Sequence, residues 1–268
     1  MNYRHAFHAG NFADLIKHSA LIQILLHLQK KDAPFAVLDS HAARGLYDLT
    51  ADEARRTGEA ASGIERVRGT DGPEAWNRYL ALEADPSAYL GSPLIAAKLL
   101  RPQDRLVAIE KHPEEAALLK QNLAPFRKAR AEEGDGYARL LALLPPPERR
   151  GVILMDPPFE AADEFEAAAE AVKGAVRRFA TGIFLIWYPV KSPAAVRAFC
   201  GEVLSAAVSK ALTIEIGIDA PPGKLGRAGL LVVNPPFGFD QTMQEILALI
   251  TPRLPGGTGS LDWLRGGG

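Results

Sequence analysis

Cysteine is nearly absent from this sequence: Cys200 is the only one among 268 residues. A single thiol excludes a disulfide within the chain and any metal site built from several cysteines. A chain that needs no disulfide framework suits a reducing compartment, so we expect a cytoplasmic protein. Long apolar runs are also missing, since no stretch approaches the roughly 20 residues that cross a bilayer. The first residues, with Arg4, His5 and His8, do not have the pattern of a secretory signal.

An excess of charge of one sign is likewise missing, because 31 basic and 32 acidic residues leave a net charge of −1. Such a balance is not typical of a nucleic-acid-binding domain as a whole, but it permits a local basic face. The candidate basic segments are Arg55-Arg56, Arg149-Arg150, Arg177-Arg178 and the loop that contains Lys224 and Arg227. Each segment is more typical of an ordinary solvated surface.

A glycine-rich loop is the third absence. Residues 35–39 predict the first buried strand, and the loop after it contains His41 and has Gly45 as its only glycine. The G-x-G-x-x-G pattern, which brings bare backbone against a pyrophosphate, is therefore not met. This disfavours a dinucleotide cofactor, and with it a dehydrogenase. A nucleoside cofactor without phosphate groups needs fewer glycines.

Hydrophobic residues make up 47% of the chain, enough for a large core. They alternate between strand-like and helix-like patterns, which predicts an α/β fold with a doubly wound sheet. The predicted strands are 35–39, 105–110, 129–132, 151–155, 182–189, 212–218 and 229–233. The last two are expected to pair antiparallel, which gives a mixed, Rossmann-like sheet.

Residues 46–93 interrupt this alternation with helical patterns separated by turns. We therefore expect one main domain, formed by 1–45 and 94–268, with a small inserted helical subdomain at 46–93. Ser92 and Pro93 then open a helix, where Ser92 is a natural N-cap.

Acids follow the next two predicted strands. Glu110 ends the second strand, where a carboxylate is suited to accept hydrogen bonds from two ribose hydroxyls. Asp135-Gly136 follows the third, weaker strand, where an acid can accept a hydrogen bond from the adenine amine of a bound cofactor. Taken alone, Asp135-Gly136 is better explained as a plain Asp-Gly turn.

The stretch 151–159 carries the strongest chemical signal. Its apolar start predicts a strand buried on both faces, and the two prolines end that strand in a stiff turn. Open α/β sheets bind their ligands at such carboxyl edges. Asp156, the carbonyl of Pro157 and the ring of Phe159 are the groups needed to hold a flipped adenine.

Asp156-Pro157-Pro158-Phe159 resembles the signature of amino-methyltransferases, which move a methyl group from S-adenosylmethionine to N6 of adenine or N4 of cytosine. Asn234-Pro235-Pro236-Phe237 resembles the Asn-type variant of the same signature. We favour Asp156, because the reactive strand should neighbour the first strand and Asn234 follows much later in the chain.

Further segments extend this resemblance over nearly the whole chain. They are Tyr3–His18, Leu38–Ala42, Arg56–Glu59, Gly91–Ala96, Leu185–Pro189 and Asn234–Pro236. Taken together they are similar to the bacterial J-type large-subunit ribosomal RNA methyltransferases, which methylate N6 of one adenosine in 23S rRNA, of the adenine-2030 type.

The resemblance implies a class I S-adenosylmethionine-dependent methyltransferase with a seven-stranded sheet and an N-terminal segment that closes over the site. It implies S-adenosylmethionine as cofactor, S-adenosylhomocysteine as product and no metal. The implied cofactor contacts are His18, His41, Ser92, Glu110, Asp135 and Gly136. The implied catalytic residues are Asp156, which acts as acid–base, with Pro157, Phe159, Lys17, Tyr3 and His5.

The resemblance also implies that the partner is 23S rRNA, with a single adenosine flipped out. It implies a monomer that does not bind a membrane. The chain departs from the family pattern at Ala43 and Arg44, where a Gly-Ala type of pair is usual, and at Phe159, where Tyr is commoner. The first departure bears on the shape of the cofactor loop. The second preserves a stacking ring.

Two alternatives stay open. Methylation of DNA adenine or of a protein glutamine would use the same chemistry. A non-catalytic RNA-binding or regulatory module on the same fold is the other alternative. His5 and His8 have a spacing that suits a metal, but no third ligand matches them, so we expect no metal site.

Overall fold

An eight-stranded sheet runs through residues 5–267, the part of the chain that the computed structural model describes. The eight strands of this sheet are β1 (Ala36–Asp39), β4 (Arg105–Glu110), β5 (Ala129–Glu133), β6 (Gly151–Met155), β7 (Ile183–Pro189), β8 (Ala211–Gly217), β9 (Arg227–Val233) and β10 (Thr258–Arg265). Two further strands, β2 (Leu46–Asp48) and β3 (Ala88–Leu90), form a separate pair. The helices are α1 (Phe12–Gln29), α2 (Asp52–Thr57), α3 (Ile64–Val67), α4 (Glu74–Leu82), α5 (Ser92–Leu99), α6 (Pro113–Leu123), α7 (Gly136–Leu143), α8 (Glu164–Arg178), α9 (Pro193–Leu204) and α10 (Phe239–Ile250).

The strand order is β10-β8-β9-β7-β6-β1-β4-β5. Strands β5, β4, β1, β6 and β7 are parallel, and β9 lies antiparallel between β7 and β8. The predicted α/β class, the mixed sheet and the antiparallel pairing of the late strands are confirmed. The chain winds one way from β1 to β5 and the other way from β6 to β7, so the switch point lies between β1 and β6. Ligands of open α/β sheets bind at this position.

Alternate residues of the central strands face two separate layers of helices. Val152 and Leu154 of β6 belong to the core that includes α1, α5, α6 and α10. Ile153 and Met155 belong to the core under α7, α8 and α9. Every residue of β6 is buried, which is why the strand reads as a continuous apolar run rather than an alternation.

Helix α1 is buried on nearly all sides. Asn11 caps its start, and the side-chain oxygen accepts hydrogen bonds from the amides of Ala13 and Asp14, both at 3.0 Å. The helix packs on α4, α5, α10 and the sheet. Lys17 and His18 are therefore 3% and 1% exposed, although the sequence pattern is that of a helix with one buried face.

The segment expected to be a helical insertion also contains strands. Strands β2 and β3 pair antiparallel at its two ends, and helices α2, α3 and α4 lie between them. The ribbon was not predicted because each strand has only three residues. The division of the chain at residues 46 and 93 stays a prediction.

The sheet has eight strands rather than the expected seven. The added strand, β10, pairs antiparallel with β8 along the outer edge. Its residues are mostly exposed, including Trp263 and Leu264, so no regular apolar alternation marked the strand. Within the described residues, no helix is both long enough and apolar enough to cross a membrane.

Candidate active site

Asp156 follows directly after β6, beside the carboxyl end of β1. Asp39, the last residue of β1, is in register with Leu154 of β6. The carboxylate of Asp156 therefore lies at the switch point of the sheet. Its side chain is 17% exposed, and Oδ2 accepts a hydrogen bond of 2.6 Å from Nζ of Lys17.

Lys17 joins two carboxylates inside the protein. Its Nζ also lies 2.7 Å from Oδ1 of Asp14, one turn earlier on α1. Burial alone lowers the pKa of Lys17, but Asp14 and Asp156 raise that pKa above its usual value. Lys17 thus stays cationic and holds one oxygen of Asp156, which leaves Oδ1 of Asp156 for another donor.

His5 and His8 approach different carboxylates. Nε2 of His5 is 3.2 Å from Oδ2 of Asp14, and Nδ1 of His8 is 2.9 Å from Oε1 of Glu59. The two rings therefore belong to separate polar clusters. Tyr3 and Arg4 lie outside the described residues, so the predicted role of Tyr3 stays a prediction.

A narrow crevice of about 40 Å³ opens along the ends of β1 and β4. Its lining includes four of the six predicted cofactor contacts: His18, His41, Ser92 and Glu110. Glu110 is 7% exposed. Its carboxylate accepts hydrogen bonds from the amides of Ala43 (2.8 Å) and His112 (2.7 Å).

Asp135 and Gly136 do not line this crevice. Asp135 accepts a hydrogen bond from the amide of Ala138, at the start of α7, and pairs with Lys111 at 3.0 Å. Gly136 packs against the loop after β1, because a Cβ there would lie 2.1 Å from the carbonyl oxygen of Ser40. Gly136 also packs against His41 of the crevice lining, and contact of either residue with a cofactor stays a prediction.

The departures at Ala43 and Arg44 have clear structural effects. Ala43 has a φ of 49°, a left-handed conformation that favours glycine. Arg44 donates two hydrogen bonds to Glu115, at 2.6 and 2.7 Å, on the rim of the crevice. The loop keeps the conformation of a glycine loop, and the added guanidinium ties it to α6.

Replacing Ala43 with glycine is expected to stabilise the protein. A left-handed alanine is strained by about 1–2 kcal/mol, and the extra chain entropy of glycine offsets part of the relief. We expect the free energy of unfolding in urea to rise by about 0.5–1 kcal/mol. Ala42→Gly is the matched control, since its backbone has no positive φ, and it should destabilise. Equal effects of the two substitutions would contradict the strain.

A second, larger cavity of about 680 Å³ lies on the other side of Asp156. Phe159 and Trp187 form part of its apolar wall, and Lys191 and Lys224 lie on its lining. Phe159 is 8% exposed, and its ring packs against Phe165 and Trp187 at centroid distances of 4.6 and 5.9 Å. The two cavities share four lining residues: His5, Lys17, Asp156 and Pro158.

Pro158, rather than Pro157, lines both cavities. The predicted role of Pro157 rests on its carbonyl oxygen and stays a prediction.

The second Pro-Pro-Phe match follows directly after β9. It lies near the start of β7, at the end of the sheet opposite to Asp156. Nδ2 of Asn234 donates to the carbonyl oxygens of Ala180 (2.9 Å) and Gly182 (2.8 Å). Asn234 itself has a φ of 55°, and Phe237 is 97% exposed. The side chain of Asn234 is thus bound to the backbone before β7, which agrees with the preference for Asp156.

The chain resembles known proteins over nearly its whole length. A family model described as "Ribosomal RNA large subunit methyltransferase D, RlmJ" matches residues 32–265. The chain belongs to this family.

Two curated members of the family, both named ribosomal RNA large subunit methyltransferase J, are each 37% identical to the chain. They come from Escherichia coli K12 and Haemophilus influenzae, and each alignment covers 98% of this chain and 99% of the relative. A solved structure of a Legionella pneumophila protein is 34% identical and superposes with a TM-score of 0.88, covering 95% of this chain and 98% of that one.

Two acids of the site were missed by sequence reasoning. Asp14 is an acid in the first turn of a helix, which the helix dipole alone explains. Asp39 ends a predicted strand, and the signal for it was an acid in place of an apolar residue in a fully buried strand. Ser92 is not the helix cap that the sequence predicted, because its hydroxyl donates instead to Oδ2 of Asp39 at 2.7 Å.

Asp39 is a buried carboxyl with one oxygen, Oδ1, that has no partner among the described residues. Burial raises its pKa to about 7, against the hydrogen bond from Ser92, and Asp156 contributes to the rise. Burial also raises the pKa of Glu83 to about 8. In contrast, burial lowers the pKa of His18 to about 3 and that of His41 to about 4.

These shifts predict that stability falls between pH 6.5 and 8. Above the usual histidine value of 6.5, His18 and His41 are mostly neutral in the unfolded state and neutral in the folded state. Asp39 and Glu83 still bind protons in the folded state but not in the unfolded state, so the free energy of unfolding decreases as pH rises. Urea unfolding at several pH values measures this slope. Asp39→Asn should flatten the slope, and an unchanged slope in that variant would contradict the assignment.

Proposed function

We propose that this chain transfers the methyl group of S-adenosylmethionine to the N6 amine of one adenosine in 23S rRNA. The observation that supports this most directly is the junction of the two cavities at Lys17, Asp156 and Pro158. Methyl transfer needs the methyl donor and the attacking amine on opposite sides of one point. The amine also needs a protein group at that point that accepts its hydrogen bonds.

The residues that line the narrow crevice suit the cofactor. The buried carboxylate of Glu110 would accept hydrogen bonds from the ribose hydroxyls of the cofactor. Ser92, His41 and His18 would line the rest of the crevice. When bound, the cofactor supplies an electrophilic methyl group. A cavity of about 40 Å³ admits a nucleoside only if its walls move apart. The rings of His5 and Tyr47, 5.3 Å apart on the lining, are where this movement is expected.

The larger cavity fits the adenine. The exocyclic amine is a weak nucleophile, because its lone pair is delocalised into the ring. Oδ1 of Asp156 and the carbonyl of Pro157 would accept hydrogen bonds from its two N–H groups and so favour a lone pair directed at the methyl group. Asp156 would then take up the proton that the methylated amine releases. Phe159 and Trp187 would hold the plane of the base. Most of the rate gain comes from positioning, with electrostatic stabilisation by the carboxylate.

The RNA side follows from the same geometry. An adenosine reaches Asp156 only after it leaves its stack. Lys191 and Lys224 line the cavity that would receive it, where they can hold flanking phosphates. Other predicted basic residues are engaged elsewhere: Arg150 donates to the carbonyls of Leu28 and Ala33, and Arg227 pairs with Glu215. A cytoplasmic monomer without a metal completes the proposal.

The test is methyl transfer from labelled S-adenosylmethionine to separate pools of protein-free 23S rRNA, DNA and protein. The rRNA comes from cells that lack this protein, and digestion to nucleosides identifies the product by mass spectrometry. The proposal expects N6-methyladenosine in the rRNA pool alone. Label confined to DNA or protein would overturn the substrate. No label in any pool, with no binding of S-adenosylhomocysteine in calorimetry, would favour a non-catalytic module.

A further inference from the structure

Three buried rings, those of Tyr79, Tyr89 and His18, connect helix α4 and strand β3 with the narrow crevice. The hydroxyls of Tyr79 and Tyr89 are 2.9 Å apart. The hydroxyl of Tyr89 is 3.0 Å from Nδ1 of His18. Both tyrosines are 0% exposed and His18 is 1% exposed, so solvent does not compete for these hydrogen bonds.

The direction of the hydrogen bonds follows from counting donors. Each hydroxyl has one hydrogen to donate. Among the described residues, the only polar partner of the Tyr79 hydroxyl is the Tyr89 oxygen. If Nδ1 of His18 donated to Tyr89, one hydroxyl hydrogen would be buried without an acceptor: that of Tyr79 if Tyr89 donated to Tyr79, or that of Tyr89 if Tyr79 donated to Tyr89. Such a group loses its hydration with no compensation.

The opposite direction satisfies every hydrogen. Tyr79 donates to Tyr89, and Tyr89 donates to Nδ1 of His18. Nδ1 then carries no hydrogen, and a neutral imidazole must carry its proton on Nε2. Burial lowers the pKa of His18 to about 3, so the ring is neutral at physiological pH.

We infer that Nε2 of His18 is the ring nitrogen that reaches the crevice. His18 lines that crevice, and its only hydrogen bond within the described residues is the one at Nδ1. Nε2 is nevertheless not among the fully buried polar atoms that lack a partner in the described part of the chain, so it keeps some accessible surface. The atom that faces the cavity is therefore a hydrogen-bond donor.

We propose that Tyr89 is a positioning residue that fixes His18 as the Nε2–H tautomer, so that this N–H donates to the carboxylate of the cofactor's amino-acid end. The ligand in this inference rests on the proposed function.

The carboxylate is favoured by the polar groups along the crevice. Glu110 lines it on the β4 side, where an anion would be repelled and ribose hydroxyls are suited. His18 lines it on the α1 side and offers an N–H donor, whereas the charge of Lys17 is already shared by Asp14 and Asp156. A carboxylate is the group of the cofactor that forms the strongest hydrogen bond with such a donor.

The first test is the tautomer of His18 in the wild-type protein. Long-range ¹H–¹⁵N correlation spectra of the histidine-labelled chain distinguish protonated from unprotonated ring nitrogens, and loss of the signals in His18→Gln assigns them. We expect unprotonated Nδ1 and protonated Nε2 without any ligand. A protonated Nδ1 would overturn the inference.

The second test compares two variants that each lose one buried hydroxyl. Tyr89→Phe removes the anchor of His18 and should weaken binding of S-adenosylhomocysteine by about tenfold, the worth of one hydrogen bond. Binding of 5′-methylthioadenosine, which lacks the amino-acid end, should not change. Tyr79→Phe is the matched control: Tyr89 can still donate to Nδ1, so both affinities should be retained.

Three results of the second test would contradict the inference: unchanged affinity in Tyr89→Phe, equal losses for both nucleosides, or equal losses in both variants. If the wild-type protein bound neither nucleoside, the proposed function would fail, and with it the ligand named here. The spectrum of His18 would still decide the tautomer by itself.

Discussion

Replacing Asp156 with asparagine is expected to lower methyl transfer by about 10³-fold, the range seen when a positioned acid–base group is lost. The amide keeps the size of the side chain, but it loses the negative charge and presents N–H groups to the adenine amine. Binding of S-adenosylhomocysteine should persist, since Glu110, His18 and Ser92 are unaltered. Labelled methyl transfer and calorimetry measure the two quantities separately.

The second Pro-Pro-Phe turn provides the control for this prediction. Asn234→Gly keeps a residue that tolerates the positive φ and removes the two hydrogen bonds to Ala180 and Gly182. It should cost stability and leave the rate of the folded protein unchanged. An Asp156→Asn variant with a tenth or more of the wild-type rate would contradict the role of Asp156, whatever the control does.

Replacing Lys17 with methionine has the second large expected effect. The change leaves Asp14 and Asp156 without the cation that lies within 2.7 Å of both. Removing one partner of a buried ion pair typically costs about 3–5 kcal/mol, because the remaining charge is uncompensated. We expect a loss of this size in urea unfolding at pH 7, together with weak methyl transfer.

A double substitution separates the stability effect from the catalytic one. Asp14→Asn combined with Lys17→Met removes one negative charge along with the positive one, so much of the lost stability should return. Methyl transfer should stay low, since Asp156 remains without Lys17. Recovery of both stability and rate would show that Lys17 acts on the fold alone.

The wild-type pH profile provides an independent check on Lys17 and Asp14. Burial raises the pKa of Asp14, but Lys17 and His5 lower it well below its usual value. The stability from this carboxylate is therefore present above the usual value of 3.8 and is lost as pH falls further. For Lys17, whose pKa is raised, stability is present below 10.5 and is lost at higher pH.

The central part of the fold could be predicted from local patterns. The apolar run of β6 ends at Asp156 and two prolines, and these features fix both the strand and its end. The α/β alternation around it placed β1, β4 and β7 within about a residue of their observed bounds. The neighbourhood of β1 and β6 followed from the winding of such sheets.

The partners of the site residues could not be predicted in the same way. The sequence contains Asp14 and Lys17 one turn apart, a spacing that is ordinary on an exposed helix. The link of Lys17 to Asp156, 139 residues away, exists only because α1 lies buried against the sheet. The bonds from Tyr89 to His18 and from Ser92 to Asp39 likewise join distant segments. Strand β10 was not predicted, because an exposed edge strand needs no regular apolar pattern.

Nucleoside mass spectrometry of 23S rRNA from cells that lack this protein tests the central claim most directly. The account predicts that N6-methyladenosine disappears from one site in the rRNA. Wild-type protein should restore it, and the Asp156→Asn variant, expressed at the same level, should not. An unchanged content of N6-methyladenosine at every site in the deleted strain would contradict the account.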